Sequence, residues 1–153
     1  MTLTQHSFRI RKIEIDAMQA YADLQDLPLA VVIRNALNLY AFAADLAVNH
    51  QLAKIDVTGE IIERLELSPP PKWDVAHGSC LTLPHMCLCF RFQEETAAAL
   101  RNLRKQRYPD SQFWVIPAIA WRLYRQAVEL SDGQSLCVVD ETGTVVTWVM
   151  IIN

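Results

Sequence analysis

Three stretches of this chain carry side chains able to do chemistry. In Ser7 to Ile15, SFRIRKIEI, the cations Arg9, Arg11 and Lys12 sit among apolar residues. Cations strung along an extended segment suit contacts with phosphates or base edges, although a charged strand edge also discourages aggregation. In His85 to Phe92, HMCLCFRF, alternation turns Met86, Leu88, Phe90 and Phe92 inward and His85, Cys87, Cys89 and Arg91 outward. Arg91 is the natural base-edge reader among the outward four. Arg101, Arg104, Lys105 and Arg107 close the next helical stretch, where they can track phosphates or complement the helix dipole.

His77, Cys80, His85, Cys87 and Cys89 offer the nitrogen and sulfur donors that zinc takes. Their spacing matches no zinc module, and cysteine is common in buried strands, so no metal is expected. Nothing resembles a phosphate loop, a nucleophile with its base or a paired-carboxylate site; the chain is read as non-enzymatic and without a cofactor.

The elements that must position these residues follow from a self-match. Displaced by about 84 positions, Ala36 to Leu67 lies over Ala120 to Ile151, with Ala36/Ala120, Leu39/Leu123, Tyr40/Tyr124, Ala43/Ala127, Leu46/Leu130, Leu52/Leu136, Asp56/Asp140, Thr58/Thr142 and Gly59/Gly143 coinciding without a gap. A self-match at one offset implies a duplicated unit: residues 7–67 and 85–152 as two repeats, joined by a Pro-rich linker and irregular segment at 68–84. With 52% hydrophobic residues and 4 glycines in 153, both belong to a packed globule. A net charge of −3 counts against a general nucleic-acid binder and leaves room for a local basic patch. Met1 to Ser7 is polar and the first apolar run is broken by cations, so no secretory signal is read and reduced thiols in a cytoplasm are expected. Arg34, Asn35, Asn38 and Asp45 interrupt positions 28–48, which argues for a buried helix and no membrane span.

Within the first repeat the alternation slips between Ile10 and Ile13. A bulge at Arg11 and Lys12 would gather Phe8, Ile10, Ile13 and Ile15 on one strand face and leave Arg9, Arg11, Lys12 and Glu14 on the other. Asp16 then caps a short helix to about Asp26, and Pro28 admits a long apolar helix from Leu29 to about Val48. Gln51 to Leu67 forms a hairpin turning at Asp56 to Gly59. In the second repeat a strand at His85 to Phe92 leads to a helix over Gln93 to Arg107. A long helix follows, its first regular turn delayed by Pro117 and its end at about Leu130; the last hairpin turns at Asp140 to Gly143. The terminal strand, VVTWVMII, is apolar enough to require a cover: a sheet face, the other repeat or another subunit, the last making a homo-oligomer possible.

Strand, short helix, long helix opening on Val32-Ile33-Arg34-Asn35-Ala36-Leu37, then a hairpin around Asp56 to Gly59: this order resembles the ribbon-helix-helix family in its small bacterial form with a trailing β-hairpin. The resemblance implies an α+β fold of two β-α-α-β-β repeats forming an intramolecular pseudo-dimer with added hairpins. The first strands would pair into an antiparallel ribbon that enters the DNA major groove, with Arg9, Arg11 and Lys12 as the main contact and Arg91 as a weaker one. It implies a transcription regulator whose partner is DNA. The chain departs from the family in having Pro28 where Ser or Thr usually caps the second helix, and Gln112 with Pro117 in the second repeat, changes that weaken the amide site for a phosphate. A protein-interaction adaptor of the same fold is the alternative, and a metal-holding or redox-sensing module rests on the His/Cys cluster alone.

Overall fold

The first strand stops at Arg11 because the hydrophobic period changes there. Phe8 and Ile10 are buried two residues apart, whereas Ile15, Met18 and Ala22 are buried at helical spacing. In the computed structural model, which describes residues 3–67, 85–108 and 115–151, β1 spans Leu3–Arg11 and α1 follows directly over Lys12–Gln25. The expected bulge is therefore absent: the slip in alternation marks the start of a helix, and Ile13, expected inward, is 69% exposed. A helix removes the conflict that the bulge was meant to solve, since no cation need be buried on a strand face. Asp16 is not the cap; it lies inside α1, where it accepts from Lys12 one turn earlier at 3.0 Å. The helix ends at Asp26 in a left-handed conformation (φ 56°), and the Leu27 amide reaches back to the Ala22 carbonyl at 2.8 Å.

Pro28 precedes α2, Leu29–Ala44, whose Val32, Ile33, Ala36, Leu37, Leu39 and Tyr40 are all buried. The helix stops four residues short of the expected end because the chain leaves the core there: Val48 is almost fully exposed, and no burial offsets the cost of ordering it. Strands β2, Gln51–Ile55, and β3, Ile61–Arg64, form the first hairpin. After the undescribed residues 68–84, β4 runs over His85–Gln93 and α3 over Glu94–Arg107. The described part of the next helix, α4, covers Val115–Val128. Pro117 is the third residue of that described part, and the residues before Val115, where the expected delay falls, lie outside the described residues. Strands β5, Ser135–Val139, and β6, Val145–Trp148, complete the chain.

The fold is α+β, with two antiparallel sheets. β1 and β4 pair over nine positions, from Leu3↔Gln93 to Arg11↔His85. The other four strands lie in the order β3-β2-β5-β6, with β2 and β5 paired from Gln51↔Val139 to Ile55↔Ser135. One apolar core runs from the back of the β1/β4 ribbon through α2 and α4 to the inner face of the larger sheet: Phe8, Phe92, Tyr40, Tyr124 and Leu136 belong to a single cluster. The opposite face of that sheet holds a small second cluster of Ala53, Ile55, Cys137 and Val139, flanked by Ile61 and Val145. One sequence expectation fails at the ribbon's end. Met86, expected inward, is half exposed, although Ile10 opposite it is fully buried. The C-terminal segment is not covered on both sides: Val149 and Ile151 pack on the core, while Val146, Trp148 and Met150 stay largely exposed along an edge strand.

Among the described residues no single helix is long and apolar enough to cross a membrane; α1 and α2 reach that measure only together, across a 111° bend.

Candidate nucleic-acid interface

The ribbon separates its side chains by parity. His6, Phe8 and Ile10 of β1 and Leu88, Phe90 and Phe92 of β4 face the helices. The Phe8 ring stacks on Phe90 at 5.2 Å and meets the edge of Phe92 at 5.7 Å, which ties the two strands together behind the outer face. Leu3, Gln5, Ser7 and Arg9 of β1, with Cys87, Cys89 and Arg91 of β4, form that outer face and are exposed. At its centre Ser7 stands opposite Cys89, with Oγ and Sγ 3.0 Å apart.

The four basic residues singled out in the sequence divide sharply. Arg9 and Arg91 both project from the outer face, Arg9 opposite Cys87 and Arg91 opposite Gln5. Four residues of strand separate them, roughly 14 Å between Cα atoms at an antiparallel rise. Among the described residues neither has an ion-pair or hydrogen-bond partner, so both guanidinium groups present their full donor sets to solvent. Arg11 is different. Its side chain is 13% exposed and folds back onto Glu14, Nε donating to Oε2 at 3.0 Å and Nη2 to Oε1, with the Glu14 carboxylate itself 8% exposed. This guanidinium neutralises a buried carboxylate and is not available to a ligand. Lys12, on the first turn of α1 and engaged with Asp16, has left the strand altogether. The expectation that Arg9, Arg11 and Lys12 form one row is corrected because the strand ends before the row does.

Sequence reasoning missed a polar chain on the ribbon's inner face. Arg101 of α3 donates from Nη2 to His6 Nδ1 at 2.9 Å, which leaves Nε2 to carry the ring proton and donate to Thr4 Oγ1 at 2.6 Å. The parity of His6 with Phe8 would have put it on this face; its partner, 95 positions away, could not be read. Arg101 thereby leaves the basic cluster at the end of α3. Arg104, Lys105 and Arg107 remain in the last turn, as the helix dipole favours.

At the start of α2, Pro28 occupies the cap position without a side-chain hydrogen bond to the first turn, and the half-buried Arg34 lines a hollow of about 300 Å³ with Leu3, Asn35 and Gln93. His77 and Cys80 lie outside the described residues, as does the linker at 68–72. Cys87 and Cys89 are free thiols, and among the described residues no three His, Cys, Asp or Glu side chains gather as a metal site would need. Comparison with known proteins found no family model, no curated protein and no solved structure that matches this chain.

Proposed function

We propose that the chain is a non-enzymatic, DNA-binding regulator of ribbon-helix-helix type, in which one chain supplies both halves of the ribbon through an internal duplication. The observation that carries the reading is the outer ribbon face: a two-stranded antiparallel ribbon with Arg9 and Arg91 exposed and unengaged on one side. A ribbon of this width enters a major groove, where a guanidinium reads guanine O6 and N7 in bidentate fashion. The strand registers support the pseudo-dimer. His6 and Phe90, paired in the ribbon, are 84 positions apart; Ala53 and Cys137, paired at the centre of β2 and β5, are also 84 apart. Both separations approximate the offset of the sequence self-match, so in each sheet a position pairs with its own counterpart, as an internal two-fold axis requires.

Two exposed cations cannot sustain strong non-specific binding by an acidic protein. With Arg9 and Arg91 reading base edges and not phosphates, the slope of log K against log salt should be shallow, since only a neutralised phosphate contributes, about −0.9 each. The test is a salt titration on the DNA upstream of the protein's own gene, with wild type beside Arg9→Ala, Arg91→Ala and the double variant. A base-reading arginine should cost about 1 to 3 kcal/mol on replacement and relax preference at one position. No binding by the wild type at low salt, or equal binding by the double variant, removes the DNA reading. The adaptor alternative rests on one observation of its own, the exposed Trp148 and Met150 beside Phe42, and a co-purified protein partner with no DNA shift would favour it.

A further inference from the structure

Helix α3 lies against α2 as α1 lies against α4, yet the two helix pairs end differently at the surface. Between α1 and α4 the Tyr21 ring fills the contact, 5.8 Å from both Trp121 and Tyr124. The outward face of α4 there is charged, with exposed Arg122, and Arg125 paired to Glu129. Between α2 and α3, Tyr108 comes near Tyr40 just past the end of α3, and further along the contact Phe42 is the one described aromatic side chain that lines the gap. An open groove of about 630 Å³ remains, floored by Ala41, Ala99 and Leu103 and walled by Phe42, which is 43% exposed. Asp45 and Glu95 also line it.

We infer that this groove receives an amphipathic helix of a partner protein, with an apolar stripe flanked by lysine or arginine. Small residues on the floor let another helix backbone come close, and Phe42 supplies an apolar wall for an anchor side chain. The lined stretch of α2, Asn38 to Ala44, spans roughly 9 Å, and that of α3, Glu95 to Gln106, roughly 17 Å, room for about two to three helical turns. Charge selects the flanks. Asp45 terminates α2, where the negative end of the helix dipole adds to its carboxylate, and Glu95 lines the same groove from the first turn of α3. Among the described residues neither acid has an ion-pair partner and no lysine or arginine lines the groove; Glu95 has the positive end of the α3 dipole beside it, whereas an acidic or neutral helix would leave Asp45 uncompensated. The surface lies on the helices, away from the ribbon face, and stands whether or not that face reads DNA.

The experiment displays a library of helical 12-residue peptides against the full chain. It is paired with Ala99→Trp, which fills the groove, and Asp45→Lys, which reverses one wall; circular dichroism and a thermal melt show that each variant folds. The expected peptides carry apolar residues at i, i+3 or i+4 and i+7 with basic flanks. Such a peptide should lose at least about tenfold in affinity against Ala99→Trp, and Asp45→Lys should shift the selected flanks toward Glu. If Ala99→Trp fails to fold, the flank reversal decides alone. Acidic flanks, extended sequences, or enrichment unaffected by the variants would overturn the inference. So would sedimentation showing a dimer that Asp45→Lys or Ala99→Trp dissociates, because the occupant would then be a second copy.

Discussion

The two hairpin turns are nearly superimposable in their chemistry, and the two strand-to-helix junctions are not. Asp56 Oδ1 accepts from the Thr58 amide at 2.9 Å, the Thr58 hydroxyl at 2.6 Å and the Glu60 amide at 3.0 Å; Asp140 Oδ1 accepts from the Thr142 amide, the Thr142 hydroxyl and the Thr144 amide at 2.9, 2.7 and 3.0 Å. Gly59 and Gly143 supply the positive φ, 88° and 85°. At the junctions, by contrast, Arg11 grips the buried Glu14 in the first half, while in the second the Gln93 amide oxygen accepts from the Thr96 hydroxyl at 3.3 Å. A turn satisfies itself with four or five consecutive residues and so depends on little else. A junction faces both the ribbon and the core, and there the halves have room to differ.

The contrast is sharpest in the ribbon's inner face. Phe8 is fully buried whereas Met86, on the paired strand, is half exposed. Phe8→Ala should cost about 3 to 5 kcal/mol in chemical denaturation and Met86→Ala under about 1. Equal losses would mean that the strands contribute alike.

Next in size is the junction itself. Arg11→Ala leaves Glu14 buried without its guanidinium and should cost about 3 kcal/mol, against about 1 for Gln93→Ala. Transplanting the neutral junction, Arg11→Gln with Glu14→Thr, should recover most of that loss, because no buried charge remains. A double variant as unstable as Arg11→Ala would show that the junction depends on something other than charge pairing.

Tyr40 and Tyr124 coincide in the sequence self-match and differ in their surroundings. The Tyr40 hydroxyl is buried and, among the described residues, has no hydrogen-bond partner at bonding distance; burial pushes its pKa up to about 12, with Tyr108 adding to the rise and the charge and long hydrogen bond of Arg107 opposing it. Tyr124 is hydrogen-bonded to Tyr21, whose own hydroxyl is pushed up to about 12, first by burial and then by that bond. Tyr124→Phe should therefore destabilise by about 1 kcal/mol, and Tyr40→Phe should be neutral or stabilise by up to about 1. The folded protein holds the Tyr40 proton to about pH 12 while the unfolded chain releases it near 10.0, so stability is complete below that lower value and falls as pH rises between the two. In Tyr40→Phe the alkaline limb of the melting curve should flatten; an unchanged limb would exclude Tyr40 as its source.

The smallest effects belong to the turns. Hydrogen bonds hold the Asp56 and Asp140 carboxyls below the usual carboxylate range, led in each case by the neighbouring threonine hydroxyl. Depressed folded values mean that their contribution is present above about pH 4 and lost as pH falls through the folded value. Asp56→Asn and Asp140→Asn should lower the melting temperature at pH 7 slightly and by the same amount. Unequal shifts would show that the turns are less alike than their distances.

The sequence by itself determined what is local or repeated. The turns at Asp56 and Asp140 follow from Asx chemistry and glycine at positive φ, α3 from acids at its start and cations at its end, and the alternation of Cys87, Cys89 and Arg91 from a clean period of two. Tertiary structure decided where a local pattern admitted two solutions. Between Ile10 and Ile13 a bulged strand and a strand-to-helix switch satisfy the same apolar residues; only packing against α2 and α4, which buries Ile15 and Met18 and leaves Ile13 in solvent, selects the switch. That selection moved Lys12 onto a helix, turned Arg11 onto Glu14, and left Arg9 and Arg91 as the exposed pair. Likewise, no reading of either helix alone could show that Tyr21 fills one helix groove and that Leu103 leaves its counterpart open, because the difference lies in which side chains distant segments bring together.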